Sequence, residues 1–406
     1  GPNPNEVIKV YSEMGLAPWQ DKHQLMMIGL KTEDIEFNES VGLNLVFLID
    51  VSGSMYSSDK LPLLKQAMKL LVENLRPIDK ISIVVYAGAS GVILEGADNS
   101  DKTEIYDAID KLQAGGSTAG GEGIKLAYKV AERHFIEGGN NRIIIASDGD
   151  FNVGISNPNE LKDLVSSKKD SGVFLSVLGF GTGNYRDDMM ESIADHGNGA
   201  YYYIDTIKEA EKVLVHELGG TMITVAKDVK IQIEFNPKNI KGYRLIGYEN
   251  RILNNDEFDD DKVDAGDMGS GHVVVAFYEI IPAGVNTEVG SKSYDEQLAL
   301  RYDGSNFIDE FAHVSIRYKD PTKDTSKLIE QGINRDAFTL SPSNDFRFAS
   351  SVVEFGLLLR DSKFKGTSSF DRVIARAEES IGLDEFEYRR EFVTLVEIAK
   401  RLSNKD

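Results

Sequence analysis

The stretch of sequence that decides the fold reads Leu43-Asn44-Leu45-Val46-Phe47-Leu48-Ile49-Asp50-Val51-Ser52-Gly53-Ser54. Its apolar part has the composition of a strand buried in a sheet. Asp50, Ser52 and Ser54 follow at alternate positions, and in extended backbone alternate side chains point the same way. One carboxylate and two hydroxyls are therefore expected to project together from the end of the strand. This set of oxygens suits Mg²⁺ or Ca²⁺ better than a softer metal, although Asp and Ser are also ordinary residues of a strand-ending turn.

Two later segments favour the metal site over the plain turn. The first is glycine-rich and opens a predicted helix: Gly115-Gly116-Ser117-Thr118-Ala119-Gly120-Gly121. The second is a β-rich run that ends in an acid: Arg142-Ile143-Ile144-Ile145-Ala146-Ser147-Asp148-Gly149. In this order the three pieces resemble the metal-ion-dependent adhesion site of the von Willebrand factor A domain. The family pattern is Asp-x-Ser-x-Ser, then a Thr in a glycine-rich loop, then an Asp-Gly after a later strand.

The resemblance implies a ligand set and a kind of partner. The matching positions are Asp50, Ser52, Ser54, Thr118 and Asp148. In the family a Glu or Asp of a protein partner completes the coordination. Because hydroxyls are neutral donors, two carboxylates leave the cation electrophilic toward that incoming carboxylate. The expected cofactor is Mg²⁺, with Ca²⁺ and Mn²⁺ as alternatives. The expected site residues are these metal ligands, with no catalytic residue.

Composition narrows the class of protein. The chain has 406 residues, which predicts two or three domains. Its net charge of −21 argues against a nucleic-acid binder and against direct attraction to an anionic membrane. There is no Cys, which removes disulfides, thiolate zinc sites and cysteine nucleophiles. No apolar run approaches the ~18 residues that cross a bilayer. Membrane association is expected only through a lipid anchor outside this sequence.

The periodicity of apolar residues predicts the fold class. From residue 42 to residue 223, β-type runs alternate with amphipathic helices such as Lys60 to Leu75, which Ser57 or Ser58 would cap. This predicts an α/β domain with a doubly wound, mostly parallel sheet. Ligands of such sheets bind beyond the carboxyl ends of the strands, where Asp50 and Asp148 both fall.

The flanking segments predict two further parts. Residues 1–41 and 224–340 contain runs with period-two alternation, so we expect a β-sandwich-like domain into which the α/β domain is inserted. The early run Gln24 to Leu30 should pair with the later strands, and Trp19 should be a packing anchor. Residues 341–406 predict a C-terminal helical segment of three helices, which is too small for a core of its own and should pack on the rest.

Further motifs narrow the resemblance to the YfbK-type subgroup of bacterial von Willebrand factor A proteins. They include Asp148 to Gly154, Leu178 to Tyr185, Tyr243 to Arg251 and Asp345 to Ala349. Members of the subgroup are commonly exported lipoproteins or envelope-associated proteins with an additional N-terminal segment. The resemblance thus implies a location in the cell envelope or outside the cell. The start, Gly1-Pro2, is typical of a protease-cleavage remnant, so we expect a natural leader outside this sequence.

Three functional interpretations of the sequence are considered. The favoured one is a metal-dependent protein-binding module for adhesion or scaffolding, which is not an enzyme. The alternatives are an accessory subunit of a separate AAA-type ATPase and a metal-dependent hydrolase. Hydrolysis is disfavoured because no general base accompanies the site and hydroxyl ligands are poor at creating one. A second cation site in the acidic loop around Asp259, Asp260 and Asp261 is an alternative to a solvated loop.

Overall fold

The structure is a computed structural model of the chain. It describes residues 7–35, 41–87, 89–115, 123–149, 157–169, 171–181, 187–216, 223–248, 255–263, 265–285, 309–321, 323 and 325–403. Its contacts divide the chain into two compact units. The α/β unit comprises Thr32–Lys227 and Ala265–His272, and the β unit comprises Gly1–Lys31, Asp228–Asp264 and Val273–Asp406. The domain boundaries given above stay a prediction.

The strands, in chain order, are β1 (Ile8–Ala17), β2 (Gln20–Thr32), β3 (Leu43–Asp50), β4 (Lys80–Ala87), β5 (Ala89–Asp98), β6 (Asn140–Ser147), β7 (Val173–Phe180), β8 (Tyr201–Ile204), β9 (Thr224–Phe235), β10 (Ile240–Ile246), β11 (Gly266–Gly269), β12 (Val273–Pro282), β13 (Glu310–Lys319) and β14 (Ser326–Asn334). The helices are α1 (Leu61–Asn74), α2 (Lys102–Asp110), α3 (Gly123–Arg133), α4 (Pro158–Lys169), α5 (Asp187–His196), α6 (Ile207–Glu211), α7 (Asn255–Asp259), α8 (Asn344–Leu359), α9 (Phe370–Glu379) and α10 (Tyr388–Ser403).

The α/β unit is built on a sheet with the strand order β5-β4-β3-β6-β7-β8. Strands β4, β3, β6, β7 and β8 run parallel, whereas β5 pairs with β4 in the antiparallel direction. The predicted doubly wound, mostly parallel sheet is confirmed. The sequence analysis did not predict β5, because its sequence has three consecutive apolar residues, Val92-Ile93-Leu94, between small and polar ones and so no regular alternation.

Strand β3 shows why both faces of this sheet are covered. Leu45, Phe47 and Ile49 belong to one apolar cluster, shared with α1, α2 and α6. Val46 and Leu48 belong to another, shared with α3, α4 and α5. Every residue of β3 is buried, as expected for a central strand between two helical layers. Each such large apolar side chain contributes about 1.5 to 3 kcal/mol on burial, so β3 fixes the position of Asp50 rigidly.

The N-terminus of α1 differs from the prediction. Neither Ser57 nor Ser58 caps the helix: the residue before it is Lys60, whose side chain makes no capping bond. Ser57 Oγ donates instead to Asp59 Oδ1 at 2.5 Å. Pro62 lies in the first turn, where a missing N–H costs nothing. The Lys60 side chain is therefore available for contacts elsewhere.

The β unit contains strands of two four-stranded sheets. The strand orders of these sheets are β1-β2-β12-β10 and β11-β9-β13-β14. The boundary between the two units falls within β9, and β11 belongs to the α/β unit. The predicted pairing of the early strand is confirmed: β2 is antiparallel to β12, with Gln24 opposite Ile280 and Leu30 opposite Val274. Phe235 of β9 stacks on Tyr243 of β10 with ring centroids 4.1 Å apart. This contact between the two sheets fits the sandwich-like arrangement that was predicted.

The C-terminal helices pack on the strands of the β unit. Phe346 and Leu357 of α8 join a buried cluster with Trp19, Leu25 and Phe277. The predictions that Trp19 is a packing anchor and that the helical segment packs on the rest are confirmed. The apolar spacing of α10 predicts a face of Phe392, Leu395, Ile398, Ala399 and Leu402, of which Leu395, Ile398 and Leu402 are exposed. Val393 and Val396 are the buried residues of α10, and Phe392 packs against Phe348 and Phe355 of α8.

Gly199 supplies a stability test of the α/β unit. A Cβ at this position would lie 1.9 Å from the Leu175 carbonyl oxygen, which is backbone of β7. We expect Gly199→Ala to destabilise the protein by about 1 to 3 kcal/mol, because the strand must shift to admit the methyl group. Urea unfolding measures the loss. Gly91→Ala on β5, where no atom lies within 4 Å of the added Cβ, is the control. Equal stability of the two variants would contradict the close approach at Gly199.

Candidate metal centre

Asp50 is held at the carboxyl edge of the sheet by backbone pairing. It is the last residue of β3 and lies opposite Tyr86 of β4, and the Val51 N–H donates to the Tyr86 carbonyl at 3.2 Å. On the other side, β3 pairs with β6, and Asp148 follows β6 directly. Two neighbouring parallel strands thus bring their following acids to one edge, as the sequence predicted.

Asp50, Ser52 and Ser54 form one connected group. The Ser52 N–H donates to Asp50 Oδ1 at 2.8 Å, and the two serine hydroxyls lie 2.8 Å from each other. Asp50 and Ser52 are buried, whereas Ser54 is exposed. Ser147, the last residue of β6, donates its hydroxyl to Asp50 Oδ2 at 3.4 Å. The sequence analysis missed this hydroxyl, although its place directly before Asp148 was visible.

The backbone that carries this group is not extended throughout. Gly53–Tyr56 forms a short 3₁₀ helix, so the argument from alternate positions of an extended strand is wrong beyond Ser52. The turn, rather than a strand, brings the Ser54 hydroxyl back to Ser52. A 3₁₀ turn forms here because the apolar run has ended and Gly53 with two serines readily adopts turn conformations.

The charge of Asp50 is poorly compensated by protein groups. Burial raises the pKa of Asp50 above its ordinary value. Hydrogen bonds from Ser52 and Ser147 act in the opposite direction, and the nearby charge of Asp148 raises this pKa further. Burial, together with the charge of Asp50, also raises the pKa of the neighbouring Tyr86 well above its ordinary range. The pocket around Asp50 therefore disfavours an uncompensated negative charge and favours a bound positive one.

Asp148 has one paired and one unpaired carboxylate oxygen. Its side chain is 4% exposed, and Oδ2 accepts a hydrogen bond from Lys60 Nζ at 2.8 Å. Oδ1 is buried and accepts no hydrogen bond from the residues that the structure describes. A buried carboxylate oxygen without a donor costs free energy unless another group compensates it. A cation is the group that suits this oxygen.

Lys60 is a contact of the site that the sequence analysis missed. Besides its bond to Asp148, its ammonium group donates to the Ser54 carbonyl at 3.0 Å. It thus links the Asp-x-Ser-x-Ser segment to the acid that follows β6. In the sequence, the one indication of this role is that Lys60 lies just after the serine-rich segment. The sequence analysis read that segment as a helix cap.

The remaining predicted ligand, Thr118, lies outside the described residues, as do Gly116, Gly120 and Gly121. The described part of that loop ends at Gly115, whose N–H donates to the Val51 carbonyl at 3.0 Å. The chain therefore enters the glycine-rich loop beside the Asp50 segment. The structure brings Asp50, Ser52 and Ser54 together with Asp148 nearby, and the five-residue ligand set stays a prediction.

The described residues fit a divalent cation of the hard type. They supply carboxylate and hydroxyl oxygens, no sulfur, and one buried carboxylate oxygen without a donor. In the described residues, no group of three or more His, Cys, Asp or Glu side chains could hold a metal.

The acidic loop is engaged in structural contacts where it is described. Arg317 pairs with Asp259 at 2.6 Å, and Lys230 donates to the Asp260 carbonyl at 2.5 Å. Asp264 and the side chain of Asp256 lie outside the described residues. These contacts favour a loop held by cations of the protein over a second metal site.

Comparisons with known proteins define the class of protein. The family model described as von Willebrand factor type A domain matches residues 44–215, and the one described as "Uncharacterized protein YfbK, C-terminal" matches residues 220–402. The E. coli (strain K12) protein described as "Uncharacterized protein YfbK" is 44% identical over 389 residues, which is 95% of this chain and 67% of that protein. The chain therefore belongs to the YfbK family of von Willebrand factor A proteins.

Two further comparisons show lower sequence identity to this chain. A protein of Mycolicibacterium vanbaalenii described as "UPF0353 protein" is 31% identical over 197 residues, 42% of this chain and 58% of that protein. The solved structure "von Willebrand factor type A from Catenulispora acidiphila" covers 97% of this chain and 90% of that one, at 15% identity and a TM-score of 0.49. A structural likeness at this level carries no information on function.

Proposed function

We propose that the chain is a metal-dependent protein-binding module, in which Asp50, Ser52, Ser54, Thr118 and Asp148 hold a divalent cation. Mg²⁺ is the proposed ion, with Ca²⁺ and Mn²⁺ as substitutes, because the donors are oxygens and the set is small. When bound, the cation offers an open coordination position to an Asp or Glu of a protein partner. The observation that carries the proposal is the buried Asp148 Oδ1, which has no donor among the described residues, beside the connected group of Asp50 and the two serines.

The residues of the chain have separable roles in this proposal. Asp50, rigid at the end of β3, supplies a negative charge that burial leaves in need of a cation. Ser52 orients Asp50 through its N–H, and the exposed Ser54 lies at the solvent side, where a partner would approach. Lys60 holds Asp148 and lowers the net negative charge of the site. A less negative site leaves more of the cation's charge for the partner carboxylate.

Binding rather than catalysis is proposed because the oxygen atoms described at this site act as ligands and positioning groups. The hydroxyls of Ser52 and Ser54 bond to each other, and Asp50 is already engaged by Ser52 and Ser147. Neither arrangement leaves a base in position to activate water. A location in the cell envelope or outside the cell is part of the proposal. In the residues that the structure describes, no helix is long and apolar enough to cross a membrane.

Affinity capture from the native host tests the proposal. The wild-type chain and Asp50→Asn are used as baits, each in Mg²⁺ and in EDTA. We expect a protein that is retained only by the wild type in Mg²⁺ and is lost when its own acidic residues are neutralised. Metal-dependent turnover on phosphoester or peptide panels, lost in the same variant, would support the hydrolase. Recovery of an AAA-type ATPase would support the accessory subunit.

Substitution of Lys60 is expected to change the Mg²⁺ affinity in the opposite direction to the loss of a metal ligand. We expect Lys60→Met to raise the affinity for Mg²⁺ about tenfold, because it removes a positive charge that repels the cation at short range. Isothermal titration with Mg²⁺ measures the change. Lys65→Met is the control, since Lys65 donates to the Asp110 and Leu112 carbonyls rather than to the site. A weaker affinity in Lys60→Met would show that Lys60 is needed to hold Asp148 in place.

A further inference from the structure

A pocket of about 430 Å³ lies within the β unit, between the end of β1 and the helices α8 and α9. Its wall is partly apolar and partly cationic. Phe346 forms a buried surface, whereas Leu16 and Leu340 are 48% and 76% exposed. Three arginines complete the lining: Arg347, Arg372 and Arg376. Its volume is in the range typical of ligand sites, about 300 to 1,000 Å³.

The three guanidinium groups are held in place by bonds that engage only some of their N–H donors. Arg372 donates to the Thr367 hydroxyl at 2.6 Å and to the Pro18 carbonyl at 2.8 Å, which are neutral acceptors. Arg376 pairs through Nη1 with the buried Glu354. Because a guanidinium has five N–H donors, both arginines keep donors for another acceptor.

Arg347 is held more loosely than the other two arginines. Its Nη2 pairs at 2.6 Å with Glu379, whose side chain is 68% exposed. Exposed ion pairs of this kind contribute only about 0 to 1 kcal/mol. Glu379 also lines the pocket, so an incoming carboxylate can replace it on Arg347 at little cost.

Glu354 and Glu379 offset two of the three arginine charges, so the pocket has a small local excess of positive charge in a chain whose net charge is −21. A highly charged anionic surface, such as a membrane or a nucleic acid, would be repelled by the rest of the molecule. A single carboxylate on a short segment meets only the local field of the arginines. Planar guanidinium groups also match the geometry of a carboxylate, with two parallel hydrogen bonds.

We propose that this pocket binds an acidic peptide segment of a protein partner, in which an Asp or Glu is flanked by apolar side chains. The carboxylate contacts Arg347 and Arg372, while an apolar side chain covers Phe346 between Leu16 and Leu340. The exposed leucines account for the apolar part of the ligand, which a simple inorganic anion would leave unused. This site needs no metal and uses no residue of the metal centre, so it stands independently of the proposed function.

Fluorescence anisotropy with labelled model peptides tests the proposal. The probes are short peptides in which Leu alternates with Glu or, as the neutral counterpart, with Gln. We expect the Leu-Glu peptide to bind with a Kd of about 10 to 100 μM, and the Leu-Gln peptide at least tenfold more weakly. EDTA and Asp50→Asn should leave the binding unchanged, which separates this site from the metal centre.

Variants of the pocket residues test whether the Leu-Glu peptide binds in this pocket. The double variant R347Q/R372Q should weaken it at least tenfold, and Leu340→Ser should weaken it without changing the charge. R335Q/R390Q, which removes two exposed arginines that do not line the pocket, is the charge control. Circular dichroism checks that each variant is folded. Equal binding of the Leu-Gln peptide, or loss in the control as large as in R347Q/R372Q, would overturn the proposal. So would arginine-dependent binding to anionic lipid vesicles without binding to the Leu-Glu peptide.

Discussion

Asp50→Asn is expected to lower the affinity for Mg²⁺ at least about 100-fold, which corresponds to about 2.7 kcal/mol. The substitution keeps the shape of the side chain and removes its charge. Since Asp50 is fully buried at the end of β3, the variant presents an uncharged amide at the same position. Isothermal titration of the wild type and the variant with Mg²⁺ measures the difference.

The same variant should separate binding from stability. Burial raises the pKa of Asp50, so the charged carboxylate destabilises the metal-free protein. The metal-free Asp50→Asn variant should therefore have an unfolding free energy at least as large as that of the metal-free wild type. At a Mg²⁺ concentration about 100 times the wild-type Kd, only the wild type should gain about 2.7 kcal/mol of unfolding free energy. Asp59→Asn is the matched control, because Asp59 is a nearby acid whose carboxylate accepts from Ser57 rather than from the site. Equal Mg²⁺ affinity in Asp50→Asn and the wild type would contradict the ligand assignment.

Glu279→Gln is expected to cost about 3 to 5 kcal/mol of unfolding free energy, the largest loss of stability that the structure predicts. Glu279 of β12 is buried and accepts hydrogen bonds from three side chains. His23 Nδ1 lies 2.6 Å from Oε1, and Arg244 Nη2 and Trp19 Nε1 lie 2.5 Å and 3.2 Å from Oε2. Removing the negative charge leaves Arg244, whose side chain is only 13% exposed, without this ion-pair partner. Urea unfolding followed by Trp19 fluorescence measures the loss.

The pH dependence gives a second readout of Glu279. Burial alone would raise the pKa of Glu279, but the bonds from His23 and the charge of Arg244 outweigh it and hold this pKa below the ordinary 4.5. The stabilisation is therefore present above pH 4.5 and is lost as the pH falls through the lowered pKa. The difference between the wild type and Glu279→Gln should shrink on acidification. Asp309→Asn, which breaks an exposed pair with Arg335, should cost less than about 1 kcal/mol. A similarly small cost for Glu279→Gln would show that the buried charge is not required.

The sequence was sufficient for the parts of the fold that apolar periodicity determines. The run from Leu43 to Ile49 could only be a strand buried on both faces, and its neighbours along the chain alternated with amphipathic helices. The pairing of Gln24 to Leu30 with a later strand was predicted from its similarity in character to the later β-type runs. In contrast, which residues of α10 are buried depends on tertiary packing, because apolar residues lie on more than one side of this helix.

The candidate site was predictable in its chemistry but not in its local geometry. Asp50 and Asp148 each end a strand of one parallel sheet, so their common edge follows from topology alone. The 3₁₀ turn after Ser52 was overlooked because the extended strand was continued too far. The bond from Lys60 to Asp148 joins residues 88 positions apart in the sequence. The arginine pocket depends on contacts between β1 and the C-terminal helices. No local pattern encodes contacts of this kind.

Anomalous diffraction from crystals soaked in Mn²⁺ tests the central claim most directly, because it locates the ion rather than its effect. We predict one strong peak at the carboxyl edge of the sheet, within about 2.0 to 2.6 Å of the Ser52 and Ser54 hydroxyl oxygens. Thr118 and the carboxylates of Asp50 and Asp148 should complete its surroundings directly or through water. A peak only at the acidic loop around Asp259, or no peak at all at saturating Mn²⁺, would contradict the metal-dependent account.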